Sequence, residues 1–90
     1  MELQSYPEFK KDIKKLDHQE RKRLKKTLEK MIINLVSGKP MKYTKHTFSK
    51  RISGKRLIYY KKEELIILLC FKHHDKAYKW LKENYEKLFN

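Results

Sequence analysis

The sequence is short of the residues that break up most chains: two glycines, two prolines and one cysteine in 90 residues. So little glycine and proline excludes collagen-like and linker-like chains. The lone thiol, Cys70, excludes an internal disulfide and points to a reducing, cytoplasmic home. The longest apolar run, Leu65–Phe71, is far below the roughly 20 residues of a membrane span. The opening Met-Glu-Leu-Gln lacks the basic-then-apolar pattern of a secretory signal. No glycine-rich phosphate loop and no Gly-x-Ser-x-Gly elbow occur. No Cys/His cluster joins His73 and His74, and neighbours on a strand point to opposite faces, so no metal is expected. One stretch also lacks acid altogether. Residues 37–62 hold nine basic residues (Lys39, Lys42, Lys45, Lys50, Arg51, Lys55, Arg56, Lys61, Lys62) and no Asp or Glu.

What is present fits one small domain spanning 1–90. A chain of this length buries only about 60–65% of its unfolded surface, so its core is compact. Six Tyr, four Phe and one Trp within 39% hydrophobic content exclude a disordered basic tail. The net charge is +13, and most of the excess falls in the acid-free stretch. A surface charged only for solubility mixes signs, because like charges repel. Nine cations in a row of segments without a counter-ion read instead as a phosphate-binding surface. Tyr43, Phe48, Tyr59 and Tyr60 interleave them, serving either base stacking or the core.

The periodicity places these residues. Met1–Tyr6 alternates as a short strand, and Pro7 suits a first helical turn. Phe9, Ile13 and Leu16 then recur at helical spacing over about 7–16. Asp17 with Glu20 forms a capping-box pattern for a second helix over about 18–36, with a stripe of Leu24, Leu28, Met31, Ile32 and Leu35. Its basic outer face (Arg21, Lys22, Arg23, Lys25, Lys26, Lys30) reads as a solvated face. Gly38-Lys39-Pro40 is a loop signal. Strands follow at Thr44–Ile52, Arg56–Lys61 and Leu65–Phe71, joined by turns at Ser53-Gly54-Lys55 and Lys62-Glu63-Glu64. Leu65–Phe71 is apolar on both faces and belongs at the centre of a sheet. Asp75 is placed as the N-cap of a last helix over about 75–88, lying on a sheet face or beside an edge. The expected fold is α+β: a small antiparallel sheet, made of a short N-terminal strand plus a three-strand meander, packed against a two-helix hairpin, with a C-terminal helix.

Cys70 lies mid-strand in an apolar run and reads as a small core residue rather than a nucleophile. The central strand ends at Lys72-His73-His74, alongside the charged hairpin Lys50–Lys61. Histidine moves protons near neutral pH, and arginine stabilises the charge of a phosphorane-like transition state. Tyr78 lies one helical turn beyond Asp75 and points toward the same region. RNA carries its own nucleophile, the 2′-hydroxyl, so such a site needs neither metal nor cofactor. Each residue also has an ordinary alternative: a strand end, an exposed cation, a core tyrosine.

Phe48-Ser-Lys-Arg-Ile-Ser-Gly-Lys-Arg-Leu-Ile-Tyr-Tyr60, followed by Glu64-Leu-Ile-Ile-Leu-Leu-Cys-Phe-Lys-His-His74, resembles the RelE/ParE toxin superfamily in its RelE/YoeB-like branch. The element order resembles that family's as well. The resemblance implies a toxin of a type II toxin–antitoxin system, a ribosome-dependent mRNA endonuclease acting in the A site by metal-independent 2′-hydroxyl attack. It implies a cognate acidic antitoxin and mRNA on the ribosome as partners. Carried over, it makes Arg51, Arg56, His73, His74 and Tyr78 the catalytic candidates, with Arg56 on the scissile phosphate and either histidine as acid/base. Lys39, Lys42, Lys45, His46, Lys50 and Lys55 become RNA-binding candidates. Two departures stand out: Asp75 follows His74 where the YoeB type has Tyr, and residues 37–62 offer no carboxylate base. The alternatives are a ParE-like inhibitor of DNA gyrase and a non-enzymatic nucleic-acid-binding domain.

Overall fold

The computed structural model describes residues 2–33, 38–42 and 44–89. In chain order the elements are β1 (Glu2–Ser5), α1 (Pro7–Ile13), α2 (His18–Ile32), β2 (Lys39–Pro40), β3 (Thr47–Ile52), β4 (Lys55–Lys62), β5 (Leu65–His73) and α3 (His74–Phe89). The expected last turn of the second helix, with Leu35 and Ser37, and the ring of Tyr43 lie outside the described residues.

Local chemistry accounts for most boundaries. Pro7 opens α1. Asp17 and Glu20 close a reciprocal capping box on α2, the Glu20 N–H donating to Asp17 Oδ1 at 2.8 Å. Ser53 (φ 51°) and Gly54 (φ 80°) both take left-handed backbone between β3 and β4. Paired positive φ values match the twist of a two-residue hairpin. β3 begins at Thr47 rather than Thr44, because His46 (φ 58°) breaks the extended backbone just before it. β5 runs to His73 and α3 starts at the next residue, so Asp75 sits in the first helical turn instead of capping it.

The sheet order is β1-β5-β4-β3-β2. The meander β3-β4-β5 is antiparallel, while β1 joins β5 in parallel, making the five-stranded sheet mixed. β2 is an addition to the expected strands: Gly38-Lys39-Pro40 read as loop, and two residues are too few to show a period. Pro40 has no N–H to donate, which an edge strand tolerates.

Each face of the sheet carries one layer. Phe9, Leu16, Leu24, Met31, Leu57, Ile66, Leu68 and Phe71 form the core under the α1–α2 hairpin. Ile58, Leu69, Cys70, Ala77 and Leu81 form the core under α3. Pairing runs Ile58↔Cys70 and then Tyr59↔Leu68, so Leu69 is a bulge. The extra residue puts Leu69 and Cys70 together on the α3 side and returns Phe71 to the hairpin side. Among the described residues no helix is long and apolar enough to cross a membrane.

Beyond the end of β1, the open edge of β5 is sealed by α1. The Phe71 N–H donates to Asp12 Oδ2 at 2.9 Å, and Lys72 Nζ donates to Asp12 Oδ1 at 2.7 Å and Glu8 Oε2 at 2.6 Å. The hydrogen bond from Lys72 holds the Glu8 carboxyl below its usual range. Burial pulls the Lys72 ammonium down, but its bonds to Asp12 and Glu8 outweigh that and leave it above its ordinary value.

The approach to β2 is pinned from below. The Gly38 N–H donates to the Tyr59 hydroxyl at 2.6 Å. A Cβ at Gly38 would lie 2.7 Å from that hydroxyl and 2.8 Å from the Ser49 carbonyl oxygen. Gly38→Ala is therefore expected to destabilise the protein by about 1–3 kcal/mol through overpacking. The check is urea denaturation, with Gly38→Ala matching wild type as the contrary result.

Candidate functional site

Strand register decides which cations meet. Thr47, Ser49 and Arg51 of β3 pair with Tyr60, Ile58 and Arg56 of β4. Ile58 is in the core under α3, so this row faces α3. Arg51 and Arg56 are thus cross-strand neighbours of like charge, an arrangement that destabilises a sheet unless an anion sits between them. β2 runs along the outer edge and sets Lys39 beside Ser49.

Lys39, Pro40, Met41, Lys42, Ser49, Arg56 and Tyr78 wall an open cavity of about 330 Å³. Arg56 enters from β4, the lysines from β2 and the residues after it, and Tyr78 from α3. The Tyr78 hydroxyl donates to Ser49 Oγ at 3.3 Å, which ties α3 to β3. One turn earlier on α3, the His74 ring meets the Tyr78 ring edge-on with centroids 4.5 Å apart. Among the described residues, none that lines the cavity is acidic.

The remaining candidates lie elsewhere. Arg51 is exposed beside Arg56. Lys45 and His46 precede β3 at the far end of the sheet, where the His46 carbonyl accepts the Lys61 N–H at 2.8 Å and its ring packs on Tyr60. That end is four residues along β4 from Arg56, roughly 13 Å at strand rise. Lys50 pairs with Leu57 and faces the helical hairpin. Lys55 is ion-paired to Glu20 at 3.0 Å and lies over the Phe71 ring. His73 pairs with Lys55 and lines a separate cavity of about 130 Å³ with Asp12, Lys15, Phe71, Lys72 and Lys76. The structure therefore gathers Lys39, Lys42, Arg56, Tyr78 and His74, with Arg51 alongside, and puts His73, Lys50 and Lys55 on the opposite layer.

Cys70 is fully buried, and burial pushes its thiol up to about 12, so it holds no reactive thiolate. Among the described residues no group of three or more His, Cys, Asp or Glu is placed to hold a metal. Ser49 and Met41 are site residues that sequence reasoning missed. The signal for Ser49 was the alternation Thr47, Ser49, Arg51 opposite Phe48 and Ile52; Met41 gave none.

Chemically, the cavity offers three cations, the hydroxyls of Ser49 and Tyr78 and a nearby imidazole. It suits a phosphate diester better than a neutral ligand.

Several solved structures share the fold. The RelB-RelE antitoxin–toxin complex from Methanococcus jannaschii is 21% identical with a TM-score of 0.72, covering 86% of this chain and 96% of that one. The E. coli DinJ-YafQ complex is 18% identical with a TM-score of 0.74, covering 86% and 97%. The intact E. coli RelBE toxin–antitoxin complex is 20% identical with a TM-score of 0.70, covering 80% and 94%. No curated protein is significantly similar in sequence. The family model described as the ParE toxin of the type II toxin-antitoxin system, parDE, matches residues 6–78. The chain therefore belongs to the ParE toxin family of type II toxin–antitoxin systems, within the RelE/ParE superfamily.

Proposed function

We propose that this toxin cuts mRNA on the ribosome without a metal. The observation that carries the reading is the shared cavity of Lys39, Lys42, Arg56 and Tyr78, with the His74 ring against Tyr78. In the reaction, the RNA 2′-oxygen attacks the adjacent phosphorus and the P–O5′ bond breaks. The products are a 2′,3′-cyclic phosphate and a 5′-hydroxyl. The 2′-hydroxyl gives up one proton and the departing 5′-oxygen takes one. Arg56 binds the scissile phosphate and stabilises its growing negative charge, with Arg51 beside it. His74 carries the proton, and Tyr78, held by Ser49, orients the imidazole. Lys39 and Lys42 hold flanking phosphates, and Lys45 and His46 extend the track along the sheet. An acidic antitoxin partner neutralises the basic face in the producing cell.

A second reading, gyrase poisoning, is favoured by one observation: the matched family model is that of ParE toxins. One experiment separates the two. Translating ribosomes and DNA gyrase, each in the magnesium buffer it requires, are exposed to wild type and His74→Ala. Cleaved mRNA bearing 2′,3′-cyclic phosphate ends, with an approximately 10²-fold lower rate for His74→Ala, is the expected result. Intact mRNA with blocked supercoiling selects the gyrase reading.

A further inference from the structure

The cationic cavity has an apolar neighbour. A second cavity of about 350 Å³ lies between α3 and Met41, Lys42 and Thr44, and the two share Met41, Lys42 and Tyr78. Its other walls are Thr44, Leu81, Lys82 and Tyr85. Leu81 is buried, and the tyrosines are half-buried. Lys42 and Lys82 are exposed, so their charged ends sit in solvent at this cavity. The volume falls in the roughly 300–1,000 Å³ range of small-ligand clefts. Among the described residues, neither lobe has an acidic wall.

A ligand matching both lobes joins an anionic group to a flat apolar one. A nucleotide has that construction, since each base hangs from a ribose between two phosphates. Aromatic walls accept any base because every base presents a π-face. We propose that the second lobe is a base-binding subsite, taking one nucleobase next to the scissile phosphate while Arg56, Lys39 and Lys42 hold the phosphates. The inference rests on the ribonuclease reading above and adds to it a defined occupant for the apolar lobe. The cleaved strand is thereby gripped by a base as well as by its backbone.

The test is cleavage by the full-length protein of ribosome-bound messages that each carry one abasic ribose, scanned across the nucleotides flanking the cut. Wild type is expected to lose about tenfold in kcat/KM at one position, the size of one lost base–aromatic stack, and to change little elsewhere. Tyr85→Ala and Met41→Ala are expected to lose rate on the intact message and lose nothing more on the abasic one, because the removed groups act together. A merely structural role for these residues would lower the rates on all messages alike and leave the position effect intact. A position effect undiminished in both variants places the base elsewhere and overturns the proposal. Cleavage of every abasic message within about twofold of the intact one also overturns it, while the ribonuclease reading stands. That flat scan is the outcome if the lobe seats an apolar side chain of a protein partner. Failure to cut any message overturns both readings together.

Discussion

Arg56→Ala is expected to lower the single-turnover rate of the proposed mRNA cleavage by about 10²–10³-fold, the usual cost of removing one preorganised charge from a transition state. Folding stability is expected to hold or rise slightly. Arg56 faces Arg51 across the β3–β4 pair, and truncation relieves that repulsion. Loss of rate without loss of melting temperature separates a phosphate ligand from a structural cation. Arg56→Lys keeps the charge but loses the planar fork, so its rate should fall between those of wild type and alanine. Arg51→Ala should cost less, since that side chain is exposed and does not wall the cavity. Equal rates for wild type and Arg56→Ala would remove Arg56 from the chemistry.

Asp12→Ala destabilises the fold by about 3–5 kcal/mol, as expected when one partner of a buried charge cluster is removed. Asp12 is 5% exposed, and its two oxygens serve the Phe71 N–H and Lys72 Nζ. Alanine leaves a strand N–H without its acceptor and a lysine held only by Glu8. A chain of this size has a total stability of roughly 5–13 kcal/mol, so the loss is a large part of it. Asp12→Asn keeps an acceptor for Phe71 and should cost less. Urea denaturation of both variants checks the ranking, and equal midpoints for Asp12→Ala and wild type would contradict it.

The same cluster gives stability its pH limits. Glu8 titrates below its ordinary 4.5 in the folded state, so its contribution is present above 4.5 and fades as pH falls through the lowered value. Lys72 titrates above its ordinary 10.5, so its contribution is present below 10.5 and fades as pH rises through the raised value. Denaturation midpoints for Glu8→Gln should therefore depend less on pH at the acid end than those for wild type.

What could be read in advance was local. Asp17 and Glu20 announce a cap because they are three residues apart on one turn. Ser53-Gly54 announces a hairpin because its backbone need is met within two residues. Leu65–Phe71 announces a central strand because both its faces are apolar. What could not be read is set by distant partners. Asp12 looks like a surface carboxylate of α1 until Phe71 and Lys72, about 60 residues on, are brought to it. β2 exists because Lys39 and Pro40 lie against Ser49 and Phe48, and nothing in those two residues alone demands it. Within the candidate site, Tyr78 was legible as a residue one turn beyond Asp75, while its ring contact with His74 follows from α3 starting at His74. That His73 and His74 part was legible from strand parity; which face His73 takes was not, because it depends on a bulge at Leu69 with no local signature.

That bulge makes residue identity a poor guide to equivalence. Along a regular strand, His73 shares the orientation of Leu69 and would look toward α3; one surplus residue sends it to the other layer. Which layer the His73 ring faces is thus settled by whether an odd or an even count of residues precedes it on β5, and not by any property of the ring. Matching histidine to histidine between this chain and a relative with an uninterrupted β5 would equate atoms on opposite sides of a sheet. Homologous roles in such a pair must be assigned by the cross-strand partner, here Lys55 for His73, rather than by position in an alignment.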